Sequence, residues 1–142
     1  MDIAKNQYIR TIIFGVEDSL VSTTGLIAGL GVGTSNKSVV IIGGMVAIAV
    51  EAISMGAGEY ISDDAIEQAN KLDRKRRRAL IDGLIMLVSY FVAGLIPLLP
   101  VVFLSYPTSL YVSVVFAPCG LFALGYIKSK VLHTNPWRGA LK

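Results

Sequence analysis

Four long apolar runs separated by short polar breaks predict an all-α protein that crosses a membrane several times. The runs cover about residues 8–33, 38–62, 80–104 and 110–127. Each holds about 18 or more residues with few charges, enough to cross a hydrocarbon layer of roughly 30 Å at about 1.5 Å per residue. Thr34-Ser35-Asn36-Lys37 is rich in helix-capping residues and closes a first hairpin. Ser105-Tyr106-Pro107-Thr108-Ser109 reads as a tight turn closing a second, with Pro97 and Pro100 near the far end of the third span. The polar stretch 63–79 between the second and third spans forms a loop with the composition of an exposed helix, and 128–142 is a polar tail. The whole chain is one transmembrane domain. The first run is too long for a signal-peptide core and has no small-residue cleavage site after it.

Composition agrees with the pattern. Of the 142 residues, 54% are hydrophobic and 16% charged, against about 25% charged in an ordinary soluble domain. Mean hydropathy is +0.63. The net charge of +3 does not point to nucleic acid, because the basic residues flank the apolar runs. Lys5 and Arg10 precede the first span, and Lys71, Arg74, Lys75, Arg76, Arg77 and Arg78 separate the second from the third. Lys128, Lys130, Arg138 and Lys142 follow the fourth, and Lys37 alone falls on the other side. The positive-inside bias places both termini and the 63–79 loop in the cytoplasm. The basic run Arg74–Arg78 also attracts anionic lipid. One cysteine, Cys119, and one histidine, His133, rule out an internal disulfide and the usual thiolate or imidazole zinc sites. There is no Gly-rich phosphate loop and no nucleophile–base pair, so no enzyme chemistry and no cofactor are expected.

The informative residues are acids inside the apolar runs. Glu17 and Asp18 lie in the first span and Glu51 in the second, with Glu59 near its cytoplasmic end. Asp82, near the start of the third, reads as a capping or first-turn charge. A carboxylate at the centre of a spanning helix costs about 2.5–3.5 kcal/mol, so such residues are functional by default. Glu51, Met55 and Glu59 are spaced i, i+4, i+8 and share one helix face. Asp18 lies about 15 Å from the cytoplasmic start of its span, and Glu51 about 20 Å from the outer start of the next. In an antiparallel hairpin the two therefore meet near mid-membrane. Carboxylates with a thioether suit Fe²⁺ or Mn²⁺ better than Mg²⁺ or Ca²⁺. A carboxylate in a dry site tends to hold a proton that an arriving metal expels, which couples metal to H⁺. The expected metal site is Asp18, Glu51, Met55, Glu59 and Glu17. Gly25 and Gly29 form a GxxxG on the first span, which permits close helix approach within a protomer or across a dimer.

Two segments resemble a known family. Phe14-Gly15-Val16-Glu17-Asp18-Ser19-Leu20-Val21-Ser22-Thr23-Thr24 is similar to the first-helix motif G-x-N-D-G-L-V-S of the vacuolar iron transporter family. Ser54-Met55-Gly56-Ala57-Gly58-Glu59-Tyr60-Ile61-Ser62 is similar to its second-helix motif S-M-x-x-G-E-Y-x-S. The resemblance implies a five-helix protomer and a homodimer, with the metal path near the paired first helices. It implies export of Fe²⁺, often Mn²⁺, from the cytoplasm in exchange for protons. Asp18, Met55 and Glu59 match the motif aspartate, methionine and glutamate, whereas Glu51 rests on spacing. Glu17 and Ser19 replace the family's Asn and Gly. The family's Glu-rich cytoplasmic insert has no counterpart, since 63–79 holds only Asp63, Asp64, Glu67 and Asp73 against six basic residues. A fifth helix would begin at Trp137-Arg138-Gly139-Ala140-Leu141. The membrane is the vacuolar one in a eukaryote and the cell membrane in a prokaryote. Two alternatives stand beside this reading: a non-transporting assembly module held by small-residue helix faces, and a transporter or channel for another cation or for protons alone.

Overall fold

The computed structural model describes residues 3–69 and 77–131. Each apolar run forms one helix: α1 (Ile3–Thr34), α2 (Lys37–Ala69), α3 (Arg77–Phe103) and α4 (Thr108–Val131). All four contain a stretch long and apolar enough to cross a membrane. Large apolar side chains such as Val46, Val50, Ile53, Leu84, Val92 and Phe103 remain exposed on the outside of the bundle, as lipid-facing positions do. Lys71, Asp73, Arg74, Lys75, Arg76, His133, Arg138, Lys142 and the stretch Trp137–Leu141 lie outside the described residues, as do the side chains of Lys5 and Glu67.

Local chemistry sets the helix ends. Ser35, at a φ of 50°, turns the chain out of α1, and its N–H donates to the Gly31 carbonyl at 2.9 Å. The Asn36 side-chain oxygen then accepts from the N–H groups of Ser38 (3.0 Å) and Val39 (3.3 Å), the N-cap arrangement that satisfies free first-turn donors. Lys37 Nζ donates to the Val102 and Leu104 carbonyls at 2.9 and 3.2 Å. It thereby caps the C-terminus of α3, where cationic charge is favoured, and ties the two hairpin turns together. At the opposite end α2 continues past residue 62 to Ala69, so residues 63–69 take the helical form that their composition allows.

α1 and α3 each touch the other three helices, while α2 and α4 do not meet among the described residues. The bundle is sealed towards the Lys37 end by a dry cluster of Ile27, Val40, Ile48, Leu98, Val101 and Leu110. The acids on α1, α2 and α3 among the described residues lie on the other side of that plug. α2 and α3 cross almost backbone to backbone. A Cβ on Gly83 would meet the Gly56 carbonyl oxygen at 2.6 Å and Tyr60 Cβ at 3.0 Å, and one on Gly56 would meet the Gly83 oxygen at 2.8 Å. Neither backbone can yield without separating the helices. Gly83→Ala is therefore expected to destabilise the bundle by about 1–3 kcal/mol. A lowered melting temperature in detergent would show this, and an unchanged one would contradict so close a crossing. A Cβ on Gly25 or Gly29 would meet nothing within 4 Å. The GxxxG face of α1 thus packs against no other helix among the described residues.

A candidate ion path along the first hairpin

Three side-chain hydrogen bonds fix the register of α1 against α2. Gln7 Nε2 donates to Asp63 at 2.9 Å, Thr11 Oγ1 to Glu59 Oε1 at 3.0 Å, and Ser22 Oγ to Glu51 Oε2 at 3.1 Å. The polar residues of α1 and the Glu51–Met55–Glu59 face of α2 therefore look at each other. The same register puts Asp18 level with the turn between Glu51 and Met55. Asp18 is half-buried. No hydrogen bond from a described residue reaches it, Ser22 being engaged with Glu51 and Thr23 Oγ1 being buried without a partner.

Tyr90 is the main component that sequence reasoning missed. It reaches in from α3, is 1% exposed, and its hydroxyl donates a hydrogen bond to Glu51 Oε2. Ser22 Oγ lies 2.6 Å from the same hydroxyl. The Tyr90 carbonyl accepts from Ser19 Oγ at 2.6 Å. Ser19 is fully buried, and a Cβ on Gly94 would come within 2.8 Å of its Oγ. Ser19, one of the departures from the family motif, thus locks α1 onto α3 at the level of Glu51. A signal existed in the sequence. Ser89-Tyr90 is a polar pair about 15 Å into the third apolar run, the depth that singled out Asp18.

Nearer the end opposite Lys37, a cavity of about 530 Å³ opens between α1 and its neighbours. Glu17 and Glu59 both line it, with Asn6, Arg10, Met86 and Lys128. Glu17 therefore faces the mouth of the path, away from the Glu51 level. Asp82 departs from the first-turn reading. It is the sixth residue of α3 and is fully buried. The α2 extension covers it, so that Asp63 and Glu59 join Arg78 as the charged groups around it. Among the described residues no three His, Cys, Asp or Glu side chains converge as a closed metal cluster. The arrangement is a line of separate oxygen-bearing side chains, from Glu17 and Glu59 at the cavity to Glu51.

A helical bundle with four membrane-length apolar helices has the architecture of a polytopic membrane protein. A sequence model of the VIT family matches residues 9–82 and 63–142. The chain belongs to the VIT family, a transporter family, and is not an enzyme. It is 23% identical over 197 residues to vacuolar iron transporter 1 of Eucalyptus grandis, covering 96% of this chain and 79% of that one. Against vacuolar iron transporter 1 of Arabidopsis thaliana the identity is 24%, with coverage of 96% and 79%. Vacuolar iron transporter homolog 1 of Oryza sativa subsp. japonica is 30% identical over 83 residues, covering 57% of this chain and 36% of that one. An alignment of 197 positions is longer than this chain of 142 residues, so the relative carries residues with no counterpart here. The two family matches overlap over 63–82, where α2 gives way to α3.

Proposed function

We propose that this chain exports a divalent transition metal, Fe²⁺ and also Mn²⁺, from the cytoplasm in exchange for protons, as a homodimer. The observation that carries the reading is the donor line on the first hairpin. Glu17 and Glu59 open onto the cavity, Met55 and Asp18 follow, and Glu51 lies deepest, beneath the apolar plug. Carboxylates supply charge and a thioether supplies softness, a set suited to Fe²⁺ and Mn²⁺. The cavity end carries Arg10, Arg77, Arg78, Lys128 and Lys130, against Lys37 alone at the other, which makes it the cytoplasmic side. The cavity then receives the metal, and the apolar plug closes the path on the outer side. The residues that the longer relatives carry would fall at 63–82 and include the acidic insert, so metal reaches Glu17 and Glu59 here without that collecting step. Gly25 and Gly29, open on α1, supply the dimer contact. The membrane is vacuolar in a eukaryote and the cell membrane in a prokaryote.

The purified protein in liposomes, offered Fe²⁺, Mn²⁺, Zn²⁺ and Ca²⁺ separately, tests the reading. Fe²⁺ and Mn²⁺ are expected to cross well above protein-free vesicles, and Ca²⁺ much more slowly. Equal rates for Ca²⁺ and Fe²⁺ would contradict a role for Met55. No flux of any metal would favour an assembly module.

A further inference from the structure

Glu51 is held asymmetrically. Both hydroxyls that reach it, those of Tyr90 and Ser22, bond the same oxygen, Oε2. Among the described residues no donor bonds Oε1. Ser22 and Tyr90 also contact each other at 2.6 Å, so the two hydroxyls and Oε2 close a small triangle. Tyr90 is itself fixed, its ring buried and its carbonyl engaged by Ser19. A carboxylate pinned by one oxygen to a rigid tyrosine loses its freedom to rotate and presents the other oxygen in one direction. Partners that orient a ligand in this way commonly change metal affinity about 10–100-fold when removed.

We infer that Tyr90 is a positioning residue for the transported cation: with Ser22 it holds Glu51 Oε2 and leaves Oε1 as the single oxygen that Glu51 offers to a divalent metal. This rests on the transport reading above. Tyr90 does not touch the metal in this arrangement and acts through Glu51 alone. The α1–α2 register sets Asp18 level with the turn that follows Glu51, so a cation held by Oε1 and Asp18 leaves the triangle intact. One-oxygen coordination by Glu51 also explains how the ion leaves, since a two-oxygen grip would have to break two contacts at each step.

The test uses the full chain in liposomes with Mn²⁺ as the probe, because Mn²⁺ stays divalent in air. Tyr90→Phe keeps the buried ring and removes only the hydroxyl. It is expected to raise the KM for Mn²⁺ about 10–100-fold, with the maximal rate within about 2-fold of wild type. Ser22→Ala, at a half-buried position, is expected to raise KM in the same direction by less, so the claim does not depend on how one variant folds. The decisive comparison is made in a Glu51→Gln background. There Tyr90→Phe is expected to add nothing, because neighbours acting through one group are not additive. A transporting wild type with an unchanged KM in Tyr90→Phe would overturn the inference. So would a further loss on top of Glu51→Gln, which would mark Tyr90 as a packing residue. A wild type that moves no Mn²⁺ would overturn the transport reading, and this inference with it.

Discussion

Asp18→Asn is expected to reduce metal uptake about 30-fold or more while the protein still inserts and keeps its oligomeric state. The magnitude follows from removing one charge from a partly desolvated charge pair, which costs about 2–5 kcal/mol, and about 1.4 kcal/mol is tenfold. The amide keeps the shape of the side chain but neither attracts a cation nor carries a proton. Folding is not expected to suffer. Asp18 makes no hydrogen bond with the described residues that the substitution would break, and a neutral amide is easier to place in a membrane than a carboxylate. Uptake of Mn²⁺ into vesicles, normalised to inserted protein, checks the expectation. Uptake near the wild-type level would remove Asp18 from the path.

Glu51→Gln is expected to cause a loss of similar size, about 2 kcal/mol or more in apparent metal affinity, for a related reason. Its side-chain oxygen still accepts from Tyr90 and Ser22, so the tie between α1, α2 and α3 survives without the charge. Metal binding to purified protein separates the two roles of Glu51. A variant with wild-type thermal stability but weakened Mn²⁺ binding fits a ligand. A variant that unfolds, with binding intact in the folded fraction, would make Glu51 structural.

The helices were legible because membrane residence demands long apolar runs, and that demand is written residue by residue. Their ends were less so. Apolarity reports where a helix lies in the membrane, not where it stops. Residues 63–69 are polar yet continue α2, with Gln68 Nε2 bonded to Asp64 at 2.7 Å. That extension in turn hides Asp82, which sequence position alone had assigned to a first turn. The approach of α1 to Glu51 and Glu59 on α2 follows from helical period and antiparallel depth, both local rules. Tyr90 does not, because a tyrosine in an apolar span reads as packing until a tertiary contact supplies its partner. Ser19 reads in the sequence only as a departure from a motif. Its bond to the Tyr90 carbonyl depends on Gly94 letting α3 approach, a match between residues 75 positions apart that no single-chain pattern displays.

The central claim is that a divalent metal crosses along Asp18 and Glu51 in exchange for protons. Its most direct test reconstitutes wild type and the Asp18→Asn, Glu51→Gln double variant in vesicles with an acidic interior, following internal Mn²⁺ and internal pH together. The wild type is expected to take up Mn²⁺ while the interior becomes less acid in step, and the double variant to do neither above protein-free vesicles. A double variant that exchanges Mn²⁺ for protons at the wild-type rate would contradict the account.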